Sequence, residues 1–147
     1  MYRDHTISLI IPAYNEEEGL PFVLEKVPEF IDEIIIVDNN STDLTADIGK
    51  RFGAKVFREE KQGYGHAYFK GIAEATGDIF VTMDGDGTYP VDQIQSLLDA
   101  LVDEKLEFIS ACRFPLSVKE NMDVVSKFGN WVLTTTTRLL FGYKLKD

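Results

Sequence analysis

The sequence predicts an α/β fold, a three-layer α/β/α sandwich around a mostly parallel sheet. Short apolar runs alternate with amphipathic stretches of helix length along the chain. The clearest run, Ile34-Ile35-Ile36-Val37, is β-branched and unbroken, as a strand buried on both faces requires. Polar residues gather immediately after the runs, and open α/β sheets bind ligands at the carboxyl ends of their strands.

Residues 6–12 (Thr-Ile-Ser-Leu-Ile-Ile-Pro) form the first strand. Residues 16–27 form the first helix. Glu16, Glu17 and Glu18 open it and complement its dipole, and Leu20, Val23, Leu24 and Val27 mark its buried face. Residues 33–38 are the second strand. Ser41, Thr42 and Asp43 supply N-cap chemistry for a helix through Phe52, and Gly53 ends it. Residues 54–58 are a short third strand. Gly63-Tyr64-Gly65 leads into a helix over 66–75, stopped by Gly77. Residues 78–83 are the fourth strand. Residues 92–104 are an amphipathic helix carrying Ile94, Leu97, Leu98, Leu101 and Val102. Residues 107–112 are a fifth strand and 124–141 a final helix. Residues 114–123 read as a loop, expected to act as a flap. Helix-length spacers make βαβ units, and right-handed crossovers place helices on both faces of the sheet.

At 147 residues the chain fits one domain, 1–147, with a substantial core. A net charge of -10 argues against nucleic-acid binding, which uses basic patches. It leaves room for a nucleotide, because a bound cation reverses the sign of an acidic site. The single cysteine, Cys112, permits no internal disulfide and reads as a small strand residue in a reducing compartment. Asn39-Asn40-Ser41-Thr42 holds two formal glycosylation triplets that, without an export signal, read as chance. No run approaches the roughly 18 apolar residues of a membrane span. The expected location is cytoplasmic, extending to the cytosolic face of a membrane. Helix 124–141 supports either peripheral membrane contact or packing, since Val125, Phe128, Trp131, Val132, Leu139, Leu140 and Phe141 stand beside Lys127 and Arg138. The end at Lys144-Leu145-Lys146-Asp147 has no closing element, so a longer protein is expected.

The polar clusters carry the chemistry. Asp84 and Asp86 end the fourth strand with Gly85 between them, two carboxylates that suit a hard divalent cation shared with substrate phosphates. Asp38, ending the second strand, suits ribose hydroxyls or a base edge, or serves as a cap. Tyr14 lines a base pocket or edges the core, with the backbone near Ala13 available to the base. Glu16 is either a ligand group or a helix-start acid. Arg113 suits a phosphate through its planar fork. Gly63 and Gly65 either admit a close ligand or merely turn the chain. His66 reads as a helix-start histidine rather than a base.

In this order and spacing, Pro12-Ala13-Tyr14-Asn15-Glu16, Ile36-Val37-Asp38-Asn39-Asn40-Ser41-Thr42-Asp43, Gly63-Tyr64-Gly65-His66-Ala67 and Asp84-Gly85-Asp86 resemble the family 2 glycosyltransferases. Those enzymes have the GT-A fold, a Rossmann-like nucleotide-sugar domain. Asp84–Pro90, Arg113 and Leu140-Phe141-Gly142 are similar to the polyprenyl-phosphate sugar transferases of the dolichol-phosphate mannose synthase type. The resemblance implies that Pro12, Ala13, Tyr14, Glu16 and Asp38 hold the nucleoside, with Gly63 and Asp84 completing the nucleotide site. It implies that Asp84 and Asp86 form a DXD motif binding Mg²⁺ or Mn²⁺, Asp86 being the main ligand. Arg113 would meet the diphosphate or an acceptor phosphate, so Asp84, Asp86 and Arg113 form the expected catalytic set.

The implied reaction is inverting transfer from a nucleotide-diphosphate sugar. A polyprenyl phosphate acceptor is already ionised and needs no strong base, whereas a saccharide acceptor, as in cell-envelope polysaccharide synthesis, needs a carboxylate. Asn39 stands where many relatives carry a second aspartate, and the acceptor-side Gly and Arg of the family would lie beyond Asp147. Two rival readings remain. Asp84-Gly85-Asp86-Gly87-Thr88 fits a haloacid-dehalogenase-type phosphatase, although that motif belongs on an early strand. A non-catalytic nucleotide-binding fragment, self-associating through a face left by a missing tail, is the other. Gly63-Tyr64-Gly65 fails as a dinucleotide fingerprint, because Tyr68 occupies the position of the third glycine.

Overall fold

The computed structural model describes residues 1–111 and 124–141. Cys112, Arg113, the expected flap 114–123 and residues 142–147 lie outside the described residues. The chain divides into two compact units, Met1–Leu98 and Asp99–Asp147.

The first unit is built on a four-stranded sheet in the order β3-β2-β1-β4. The strands are β1 (Ile7–Ala13), β2 (Glu33–Asp38), β3 (Lys55–Arg58) and β4 (Ile79–Thr82). Every pairing is parallel, and the register sets Ala13 beside Asp38 and Ile10 beside Thr82. β1 is buried along its whole length, which explains its lack of polar alternation. Its residues alternate between two apolar layers. Ile7, Leu9, Ile11 and Ala13 pack with Leu20, Val23 and Leu24 of α1 (Leu20–Leu24) and with Ile94 and Leu98. Ile10, Ile35 and Val37 pack on the other face with Ala67 of α3 (Tyr64–Glu74). Ile48 of α2 (Thr45–Arg51) joins the first layer. Helices on both faces of a parallel sheet make the α/β/α arrangement.

A 3-10 turn at Val91–Gln93 leads into α4 (Ile94–Asp103), which begins in the first unit and ends in the second. The second unit also contains α5 (Val124–Phe141), with the bounds read from sequence. Among the described residues no helix is long and apolar enough to cross a membrane.

Two expectations need correction. The helix foreseen over 16–27 is formed only over Leu20–Leu24, with no acid in its first turn. The Glu16 and Glu17 amides are drawn sideways instead, donating to Thr45 Oγ1 at 2.8 Å and Asp43 Oδ2 at 3.1 Å. The strand foreseen over 107–112 is absent across its described residues, 107–111. A strand exists only by pairing, and the ladder among the described residues stops at β4. Phe108, which would have been a core position, is 80% exposed.

Candidate active site

The strand order reverses at β1. α1 and α2 carry the chain to β2 and β3 on one side, and α3 returns it across the opposite face to β4. The carboxyl ends of β1 and β4 therefore flank a topological switch point, where α/β sheets open a crevice. A cleft of about 370 Å³ lies there, walled by Pro12, Ala13, Tyr14 and Glu16 after β1 and by Asp84, Gly85 and Asp86 after β4. Asn39, Gln62, Gly63, Tyr64 and Ala67 close its third side. The sequence reading gave a binding role to seven of these twelve and none to Asn39, Gln62, Tyr64, Ala67 or Gly85.

The acidic turn is held from within and from behind. Asp86 Oδ1 accepts the Thr88 amide at 2.9 Å and the Thr88 hydroxyl at 2.8 Å. Asp84 Oδ1 accepts the Tyr64 hydroxyl at 2.5 Å. Gly19, just before α1, backs the turn closely enough that a Cβ there would lie 2.9 Å from Gly85 O and 3.0 Å from Asp86 Cα. Glycine is the residue that allows this approach. Glu16 reaches the same place, and a Cβ on Gly85 would sit 3.6 Å from its Cγ. Burial, then the charges of Asp86, Asp84 and Asp43, push the Glu16 carboxyl above its ordinary range. Glu16 is thus a cleft acid rather than a helix-start residue.

The third side is organised by Asn39. This residue is buried, and its amide nitrogen donates to Glu59 O at 3.1 Å and Lys61 O at 2.9 Å. Its carbonyl oxygen accepts the Gly63 amide at 2.8 Å. Gly63 has φ +137°, a conformation that favours glycine, and it begins α3 with Tyr64 facing the cleft. Tyr64 packs edge-on against Tyr68, with ring centroids 4.7 Å apart. Burial and the Asp84 carboxylate both raise the Tyr64 hydroxyl pKa, so it stays a neutral donor.

The β1 and β2 tips are fastened together. Asn15 N donates to Ser41 Oγ at 3.0 Å, and Asn15 Oδ1 accepts the Thr42 amide at 2.9 Å. Ser41, Thr42 and Asp43 are thus largely consumed in joining loops, and only Asp43 also binds the start of α2, through Thr45. Asp38 is 2% exposed and is not a cleft wall. Its carboxylate accepts the Ser41 amide at 2.8 Å and faces Arg58 at 3.5 Å. Arg113 lies outside the described residues.

The donor set of the acidic turn fits a hard divalent cation. It offers carboxylate oxygens only, on a tight turn, where crowding by Glu16, Asp84 and Asp86 creates repulsion that a cation relieves. Among the described residues no group of three or more His, Cys, Asp or Glu side chains is spaced to hold an ion. The phosphatase reading loses its context, because Asp84 follows the last of the four strands rather than an early one.

The sequence model described as glycosyl transferase family 2 matches residues 8–145. An uncharacterised glycosyltransferase of Mycobacterium tuberculosis (strain ATCC 25618 / H37Rv) is 36% identical over 111 residues, 76% of this chain and 50% of that protein. A dolichyl-phosphate hexose transferase of Haloferax volcanii is 29% identical over 149 residues, covering 99% of this chain and 64% of that protein. Among solved structures, glucosyl-3-phosphoglycerate synthase from Mycobacterium tuberculosis in complex with Mn²⁺, uridine diphosphate and glucosyl-3-phosphoglycerate superposes with a TM-score of 0.59 at 28% identity. That superposition covers 67% of this chain and 40% of the synthase. The chain thus spans about half the length of the first relatives it matches.

Proposed function

We propose that this chain, which belongs to glycosyl transferase family 2, moves a sugar from a nucleoside-diphosphate donor to a polyprenyl phosphate, with inversion at the anomeric carbon. The observation that carries the reading is the meeting, in one cleft, of the Pro12–Glu16 tip, the Gly63–Tyr64 helix start and the Asp84–Asp86 turn.

Pro12, Ala13 and Tyr14 form the wall against which the nucleoside lies. The backbone at Gly63 has no side chain to keep phosphates away. Asp38 shapes the nucleoside end through Ser41, and reaches the nucleoside itself if the loop yields that bond. Asp84 and Asp86 would hold Mg²⁺ or Mn²⁺, and the bound cation would supply charge neutralisation to the diphosphate leaving group. Arg113 serves the same phosphates or those of the acceptor.

A lipid-phosphate acceptor is supported by the Haloferax relative, a dolichyl-phosphate hexose transferase. It also agrees with the chemistry, since an ionised phosphate attacks without a strong base. The acceptor would be met at a membrane face, and α5, with Trp131, Leu139 and Leu140 exposed, is the element proposed for peripheral contact. A hydroxyl acceptor is the second reading. It is favoured by the superposed synthase, whose complex contains glucosyl-3-phosphoglycerate, and by Glu16, an acid already in the cleft.

Calorimetry with a panel of nucleoside diphosphates, with and without Mn²⁺, tests the donor side. Metal-dependent binding of one nucleotide is expected, and indifference to all of them defeats the proposal. Radiolabelled sugar transfer to polyprenyl phosphate, compared with phosphoglycerate and oligosaccharides, then decides the acceptor.

A further inference from the structure

The two carboxylates of the acidic turn are restrained differently. In each, the described residues engage one oxygen, Oδ1, and no hydrogen bond from among the described residues reaches Oδ2. Each acid is therefore fixed by one atom and presents the other. For Asp86 the fixing donor is local, Thr88 of its own turn, so that geometry comes with the loop. For Asp84 the donor is Tyr64, twenty positions earlier in sequence and on a different element. The orientation of Asp84 depends on where α3 starts.

That start is itself specified. Asn39 binds the Gly63 amide and the carbonyls of Glu59 and Lys61, so the end of β2 sets the 59–63 loop. Gly63 turns the chain, and Tyr64 follows. Tyr68, one helical turn on, braces the Tyr64 ring edge-on, with the two hydroxyls 3.1 Å apart. Tyr64 remains 58% exposed despite these contacts, so burial of its ring is not what the position supplies.

We propose that Tyr64 is a positioning residue that fixes Asp84 Oδ1 and thereby aims Asp84 Oδ2 at the cation carrying the donor diphosphate. The inference rests on the donor-site reading above and deepens it. Carboxylates that ligate metals are commonly oriented by a hydrogen-bond donor outside the ligand set, and losing that donor weakens metal affinity about 10- to 100-fold. A phenol suits this task, because it donates one bond and leaves the second carboxylate oxygen open. Tyr64→Phe keeps the ring and its packing and deletes only the donor.

The test is calorimetry of the chain with UDP and with GDP, each with and without Mn²⁺, supplemented by Mn²⁺ titration followed by electron paramagnetic resonance. Wild type, Tyr64→Phe, Asp84→Asn and the double variant are compared, with circular dichroism as the check on folding. The expected result is about a tenfold loss of Mn²⁺-dependent affinity in Tyr64→Phe, with a clearly smaller loss of metal-free nucleotide affinity. In the Asp84→Asn background the second substitution should add nothing, because the group it positions is already altered. Equal losses with and without Mn²⁺, or a full tenfold loss on top of Asp84→Asn, would overturn the role given to Tyr64. A wild type that responds to Mn²⁺ and a Tyr64→Phe variant indistinguishable from it would overturn that role alone. A wild type whose nucleotide binding ignores Mn²⁺ would overturn the donor-site reading and this inference with it.

Discussion

An asparagine at position 39 performs a task that an aspartate cannot. Its side chain is buried, donates to two backbone carbonyls and accepts from the Gly63 amide. An ionised carboxylate only accepts. Asn39→Asp would keep the Gly63 bond and leave charge facing the carbonyl oxygens of Glu59 and Lys61. Unsatisfied buried carbonyls and a poorly placed charge together cost about 1–3 kcal/mol. Urea unfolding should show that loss, and Mn²⁺-dependent nucleotide binding should weaken because Tyr64 is no longer held. Unchanged stability and binding would show that the loop is held by something else. The identity of residue 39 was legible in the sequence as a departure from family pattern. Its use was not, because the partners lie 20 to 24 positions away in a loop without regular structure. Tyr64 was hidden for the same reason: a tyrosine between two glycines carries no local sign of a carboxylate partner.

At the scale of elements, the strands were largely legible and the loops were not. β1, β2, β3 and β4 fall within a residue of their expected bounds; β1 and β2, mostly buried, write themselves as unbroken apolar runs, and the less buried β3 and β4 are short runs bounded by turn residues. α1 was overestimated, because an acidic start and helical spacing describe local preference alone. Backbone bonds from Glu16 and Glu17 to the β2–α2 loop override it. Gly19 ends that clamp and lies against the acidic turn. Gly19→Ala must displace Gly85 or Asp86, an overpacking cost of about 1–3 kcal/mol. The expected signature is weaker Mn²⁺-dependent nucleotide binding, measured by calorimetry. An unaffected variant would mean that the turn moves freely.

At the opposite edge of the sheet, Glu33 ties four segments. It accepts from Ser8 of β1 at 2.5 Å, from Lys55 of β3 at 2.7 Å, and from the Thr76 amide at 2.6 Å ahead of β4. Burial alone would raise its carboxyl pKa, but these bonds outweigh burial and hold it down at about 2. A depressed folded-state pKa stabilises above the unfolded value near 4.5 and is lost as pH falls toward 2. The displacement corresponds to at most about 3 kcal/mol. Urea unfolding at pH 5 and pH 3 should show a marked stability loss in the wild type and a much smaller one in Glu33→Gln. Parallel slopes would assign the acid sensitivity elsewhere.

For the whole molecule, the decisive quantity is the sign of charge. The chain carries a net charge of -10 and gathers acids at the cleft, while the proposed donor is an anion. Without a cation, the nucleotide approaches against the field, and salt should help it by screening repulsion over about 8–10 Å. With Mn²⁺ bound, attraction between the cation and the acidic turn dominates, and added salt should weaken binding. The salt dependence of nucleotide affinity should therefore change sign when Mn²⁺ is added. The same linkage reaches stability. Ligand at 100 times its Kd stabilises the folded state by about 2.7 kcal/mol, so Mn²⁺ with nucleotide should raise Tm and nucleotide alone should do so far less. Asp86→Ala removes one of the two acids at the turn and should abolish the Mn²⁺ increment while leaving the unliganded Tm within about a degree or two, since the turn is exposed. A salt effect of one sign in both conditions would mean that the nucleotide does not meet the cation at this turn.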